Sequence, residues 1–181
     1  TDPFGYGTPW DQSDSATRGV ALSIVANEYD FLTGSSTYAD FAERWLDAVL
    51  GANAWGTSFI VNDGALFPFC MQHQVANLIG STDGAAPVLA GALVEGPNSS
   101  GSTGLVAGMV TCPPDGGDVF ARFDGNGAVY IDNVQSFATV EPAIDLTSPS
   151  PLAFAWRIAR APSGTASLVA AKTKSVSLPP L

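Results

Sequence analysis

The sequence predicts a mainly α-helical fold broken by long loops, and three observations predict it. Two segments near the N-terminus and one near the C-terminus repeat apolar residues at helical spacing. Between them, residues 52–137 lose that spacing, with Gly, Pro, Asn and Asp recurring every few positions. The composition is 46% hydrophobic and only 13% charged, with 19 Gly and 13 Pro in 181 residues. Such a chain can bury one core and is rich in turns; it is not disordered.

Residues 1–10 place Phe4, Tyr6 and Trp10 among Pro3, Gly5, Gly7 and Pro9, a loop whose rings must pack beneath it or face a ligand. A first helix is predicted over residues 16–31, where Val20, Ile24 and Phe31 share a face with Ala21 and Val25 beside them. Gly34 follows as its stop. The second helix is clearer, because Tyr38, Phe41, Ala42, Trp45, Leu46 and Val49 form a single apolar stripe. Thr37 and Asp40 read as a capping box with Asp in place of Glu, and Gly51 is placed to end the helix.

Loops of the total length found in residues 52–137 are unusual in a compact domain unless they serve a function. Within them, Val88-Leu89-Ala90 and Ala128-Val129-Tyr130-Ile131 are candidate short strands. A third helix starts at Pro151, capped by Ser150, carries Leu152, Trp156 and Ala159 at helical spacing, and ends at Pro162. Residues 1–162 therefore read as one domain and residues 163–181 as a tail, either a late strand or a linker. Three helices are few for the apolar faces they carry, which predicts further protein packed beside them.

The net charge of -10 repels phosphate backbones and anionic lipids, so neither nucleic acid nor membrane is an expected partner, whereas a neutral sugar polymer is compatible. No apolar run is long enough to span a bilayer. The opening Thr1-Asp2-Pro3 is no signal peptide and reads as the start of a processed or partial chain. Cys70 and Cys112 both lie in loop-like sequence, which fits a disulfide and an oxidising compartment; the other reading is two buried thiols.

His73 is the lone histidine and by itself reads as a loop residue bonded to a backbone carbonyl; one His and two Cys do not make a zinc site, and no nucleophile-elbow pattern is present for a Ser-His-Asp triad. Asp124-Gly125-Asn126 looks like the start of a calcium loop, but Ala128 and Val129 do not fit the ligand positions, so it reads as a turn and no cofactor is expected. Glu28 and Glu43 fall on helices as solvated residues. Glu141 stands among apolar neighbours, nine residues after Asp132 and four before Asp145. A carboxyl in apolar surroundings gains a raised pKa and suits a general acid. Glu141 also reads as an N-cap with Pro142 in the first helical position, and residue types alone leave both open.

Five segments in order resemble glycoside hydrolase family 9, the inverting cellulases. They are Phe4-Gly5-Tyr6-Gly7, residues 50–59 (Leu-Gly-Ala-Asn-Ala-Trp-Gly-Thr-Ser-Phe), the histidine region around His73, Gly91-Ala92-Leu93-Val94-Glu95-Gly96-Pro97-Asn98, and Asp132 with Phe137 and Glu141-Pro142-Ala143-Ile144. The resemblance covers roughly residues 3–160. It implies the C-terminal portion of an (α/α)6 barrel with long loops, the N-terminal half lying outside this chain. It further implies Glu141 as general acid, Asp132 as holder of the site's hydrogen bonds and charge, His73 as a ligand of sugar hydroxyls, and Tyr6 and Trp55 as stacking platforms.

Two features depart from the family. Gln72 and Gln74 flank His73 where the family has a second histidine and an arginine, and Val140 stands where it has Asn before the acid, which implies altered substrate contacts. An inverting mechanism needs a second carboxylate roughly 6.5–9.5 Å from the acid, and the family's Asp-Ala-Gly-Asp motif does not occur here. The resemblance thus implies a secreted hydrolase of a cellulose-like β-1,4-glucan whose base comes from an N-terminal piece as a partner. A non-catalytic carbohydrate-binding module of the same descent is the alternative.

Overall fold

The computed structural model describes residues 4–7, 9–10, 13–79, 89–101 and 103–161. Among the described residues, six α-helices run in the order α1 (Ser15–Thr33), α2 (Ala39–Val49), α3 (Gln74–Ile79), α4 (Phe137–Val140), α5 (Ile144–Thr147) and α6 (Ser150–Arg160), with a 3-10 turn at Ala121–Phe123. Only α1, α2 and α6 are long, and α1 lies against both others. The mainly helical expectation holds, and α1 and α2 fall where the apolar spacing put them.

Three buried stripes meet between these helices. Ala16, Val20 and Ile24 of α1 face Leu46 and Val49 of α2, and Ala153 of α6 joins the same core. The helices approach closely at Gly19, where a Cβ would sit 3.4 Å from the Trp45 carbonyl oxygen. The loops complete the core with Phe59 and Tyr130, whose ring centroids are 5.0 Å apart. A smaller cluster forms around Cys70, Cys112 and Val134. The Cys70–Cys112 disulfide is formed. Among the described residues, no helix is long and apolar enough to cross a membrane.

Gly34 ends α1 in the left-handed region with its N–H on the carbonyls of Asp30 and Phe31. The capping expectations at α2 and α6 are corrected. No side chain caps α2, whose N-cap is Tyr38. The buried Asp30 carboxylate of α1 instead takes the Tyr38 N–H at 3.0 Å and the Ser35 hydroxyl at 2.7 Å, which ties α1 to the turn that precedes α2. At α6 the N-cap is Pro149, and the Ser150 hydroxyl is buried with no hydrogen-bond partner among the described residues. Arg157 then ties α6 to Asp47 of α2 at 2.6 Å, and Arg160 reaches the Asn27 carbonyl of α1 at 3.1 Å.

The candidate strand over residues 128–131 makes only isolated bridges, and residues 89–90 form none. Val129 pairs with Asn98, Leu93 with Ile60 and Val94 with Pro142, and none extends into a ladder. Leu89 lies in a turn with φ 66, and Val88 lies outside the described residues. Ladders stop here because Pro97 and Pro142 lack an N–H to donate, and because Gly96 bends away with φ 83. A Cβ on Gly96 would meet the Ala16 Cβ at 2.9 Å, so this loop presses directly on the start of α1. Pro162 and the tail, residues 163–181, also lie outside the described residues.

Candidate active site

The segment around Gly96 organises the site. On one side the Val94 N–H donates to the Phe59 carbonyl at 3.1 Å. On the other, Glu95 N–H donates to the Glu141 carbonyl at 3.1 Å and Gly96 N–H to the Thr139 carbonyl at 3.0 Å. The Gln72 N–H holds the Val140 carbonyl at 3.2 Å. The backbone at Glu141 is thus pinned from two directions while its side chain is exposed.

Both sequence-level readings of Glu141 require correction. It is no N-cap, because it closes α4 in extended conformation and α5 begins only at Ile144. Nor is its carboxyl enclosed by apolar neighbours: Val140, the last residue of α4, and Pro142 are buried, and Glu141 between them is exposed.

Pro142, Ala143 and Ile144 form one wall of a cleft of about 440 Å³ that His73 also lines. His73 stands at the head of α3, where Nδ1 accepts the Ala76 N–H at 3.3 Å. In the neutral ring that bond places the proton on Nε2, leaving an N–H to offer a ligand oxygen. The Gln72 side-chain amide donates to the Gly104 carbonyl, so this residue is engaged in holding a loop.

Asp132 anchors the backbone that leads to His73. Its carboxylate accepts the Phe69 N–H at 2.9 Å and the Cys70 N–H at 2.8 Å. Burial pushes its pKa from 3.8 up to about 6, against the lowering effect of those two bonds and with a further rise from the charge of Asp118.

Tyr6 and Trp55 line a second cleft of about 400 Å³ together with Phe4, Trp10, Phe123 and Asp124. Trp55 is only 5% exposed, and its ring packs toward Phe59 and Tyr130 while its N–H donates to Asp124 Oδ1 at 2.8 Å. It is therefore a floor residue and offers no open face for stacking. Asp124-Gly125-Asn126 forms a turn, closed by paired bonds between Gly125 and Ala128 of 3.0 and 2.9 Å.

Sequence reasoning missed a carboxyl pair. Glu95 Oε2 accepts the Asp14 N–H at 2.7 Å. Burial first, then a hydrogen bond to the Asp14 carboxyl and the charges of Asp14 and Glu141, raise the Glu95 pKa to about 8. Glu95 thus keeps its proton at neutral pH and is not a ready base. Its sequence signal was slight, a Glu at the open position of the Val-x-Gly-Pro-Asn loop.

Known proteins resemble this arrangement. A structure of a thermostable endoglucanase from Alicyclobacillus acidocaldarius, the D468A mutant, aligns with TM-score 0.63 at 20% identity, covering 88% of this chain and 28% of that one. The cellulase Cel9M of C. cellulolyticum in complex with cellobiose aligns with TM-score 0.59 at 21% identity, covering 87% of this chain and 32% of that one. The catalytic domain of Clostridium thermocellum CelT gives 0.57 at 24%, with 81% and 25% covered. The chain spans about a third or less of the length of these structures, and its helices have the fold of part of an (α/α)6 barrel. Among curated proteins no sequence matches. The profile described as Glycosyl hydrolase family 9 matches residues 3–154, so the chain belongs to that family.

Proposed function

We propose that this chain supplies the general-acid half of a secreted, inverting hydrolase of β-1,4-glucans, with Glu141 protonating the leaving oxygen. The observation that carries this reading is the pinned backbone and exposed carboxyl of Glu141, next in sequence to Pro142 in the wall of the cleft that His73 lines. An acid must be fixed in position yet reachable by substrate, and this one is both. His73 Nε2–H would hold a sugar hydroxyl, and Asp132 would fix the loop at Phe69 and Cys70 that leads to His73. The disulfide is compatible with an extracellular setting.

The catalytic base would come from an N-terminal portion of the enzyme packed on α1. That helix exposes Val25, Tyr29 and Leu32 on the side away from the core. A helix apolar on both sides is one that packs on both sides. Glu141→Gln in the assembled enzyme should lower kcat by about 10²–10⁴-fold on soluble glucan; near-normal turnover would remove the acid assignment. Tight glucan binding without bond cleavage by the wild-type assembly would instead favour the non-catalytic binding module, which the altered neighbours Gln72 and Gln74 make the second reading.

A further inference from the structure

We propose that Glu95 is a positioning residue for Glu141, a joint that fixes the acid's backbone to the start of α1; the inference rests on the reading of Glu141 as the acid. Glu95 faces both elements through its main chain. Its N–H donates to the Glu141 carbonyl at 3.1 Å, and its own carbonyl accepts the Ala16 N–H at 3.0 Å. Its side chain adds a third bond, with Oε2 accepting the Asp14 N–H at 2.7 Å. One residue from a distant loop thus takes two N–H groups at the head of α1 and holds the acid's carbonyl at the same time.

Asp14 shows why the side chain matters. It is the N-cap of α1, lies in the left-handed region with φ 61 and ψ 29, and makes no side-chain cap bond of its own. Residues with a Cβ seldom adopt that conformation and keep it where their surroundings hold them. The Glu95 carboxyl on the Asp14 N–H supplies that hold. Gly96, next in the chain, leaves no slack, because a Cβ there would meet both Ala16 Cβ and Ser15 Oγ at 2.9 Å. Its N–H donates to the Thr139 carbonyl at 3.0 Å, two residues before the acid.

The chemistry of the carboxyl pair closes the joint. The Asp14 and Glu95 carboxyls are hydrogen-bonded, which requires a proton between them. Burial, then that bond and the charges of Asp14 and Glu141, keep the proton on Glu95 at neutral pH. The charge of Glu141 acts on Glu95, so the acid's carboxyl lies within electrostatic reach of the joint. Such a joint serves inversion, which needs acid and base roughly 6.5–9.5 Å apart, because a misplacement of about 1 Å costs about 10²-fold in rate. With the base arriving on a portion packed against α1, the path from base to acid runs through α1, and Glu95 is where α1 meets the acid's backbone.

The test is steady-state hydrolysis of cellohexaose by the assembled enzyme, with amide hydrogen exchange of the same proteins. Glu95→Ala should lower kcat about ten- to hundredfold with KM unchanged. It should also speed exchange over residues 93–96 and 139–141 about tenfold. Glu95→Gln should recover most of both losses, since its amide oxygen accepts the Asp14 N–H and its NH2 donates to the Asp14 carboxylate. Wild-type kcat, wild-type exchange or a rise in KM alone in Glu95→Ala overturns the joint, and cleavage by the wild type leaves the acid reading standing. Faster exchange in Glu95→Ala with no cleavage by any form, wild type included, sustains the joint and removes the acid reading. If circular dichroism shows that Glu95→Ala disturbs the fold, Glu95→Asp decides, because its shorter side chain withdraws the acceptor from Asp14 and keeps the carboxyl. Wild-type exchange in Glu95→Asp then overturns the proposal.

Discussion

Asp132 accepts the backbone N–H of Cys70 at 2.8 Å, and Cys70 is bonded through sulfur to Cys112. The Cys112 carbonyl in turn accepts the Val134 N–H at 2.9 Å, two residues beyond Asp132. The disulfide therefore holds both flanks of the same acid, which couples a covalent staple to a buried carboxyl of the candidate site.

Removing the staple should cost stability. It closes a loop of 42 residues, for which chain entropy gives about 4 kcal/mol. The double variant Cys70→Ser, Cys112→Ser should lower urea-unfolding stability by about 2–4 kcal/mol. A loss under about 0.5 kcal/mol, the scale of an ordinary surface change, would show that the loop is already closed by its hydrogen bonds.

Asp132 should make stability depend on pH in the acid range. Its pKa rises from 3.8 to about 6 in the folded protein. Below 3.8 both states hold the proton; between 3.8 and about 6 the unfolded chain releases it first, so stability falls as pH rises. Thermal melts of Asp132→Asn should lack that fall, and parallel curves for wild type and variant would refute the buried-acid assignment.

Glu95 predicts the same sign over a different window. With its pKa moved from 4.5 to about 8, its contribution is complete below 4.5 and declines until about 8. Glu95→Gln keeps a neutral side chain beside Asp14 and should flatten the melt curve between those values. A variant that instead loses stability equally at pH 5 and pH 8 would mean that Glu95 acts through packing alone.

Tyr130 gives a test of the core. It is fully buried, packs against Phe59, Trp55 and Phe120, and its hydroxyl has no hydrogen-bond partner among the described residues. An unsatisfied buried hydroxyl costs free energy, so Tyr130→Phe should be neutral or stabilising by about 1 kcal/mol. Denaturant unfolding checks this, and a clear loss would reveal a partner such as a bound water.

The helices were legible because their information is local. Val20, Ile24, Leu46 and Val49 repeat within one turn or two, and each lies in the core where its spacing put it. The turn before α2 was misread because the group that holds the Tyr38 N–H comes from Asp30 on the preceding helix and not from Thr37. The site was legible only as a set of ordered motifs. What positions it crosses long separations, 81 residues between Asp14 and Glu95 and 63 between Phe69 and Asp132, and no periodicity records such pairs. Trp55 was expected as a platform on the family resemblance, and its burial against Phe59 and Tyr130 makes it a floor residue instead.

The outward face of α1 carries the last prediction. Val25, Tyr29 and Leu32 recur on one side of the helix, with Leu32 81% exposed, while Val20 and Ile24 fill the core side. Exposed apolar stripes of this kind mark a surface that another element covers. Val25→Glu with Leu32→Glu should leave the helix content of this chain unchanged by circular dichroism, because neither side chain is in its core. The same pair should abolish recovery of the proposed N-terminal portion on co-expression, since two charges would enter an apolar contact unpaired. If the N-terminal portion is still recovered at wild-type yield, it docks elsewhere, and the α2 face bearing Phe41 becomes the next to test.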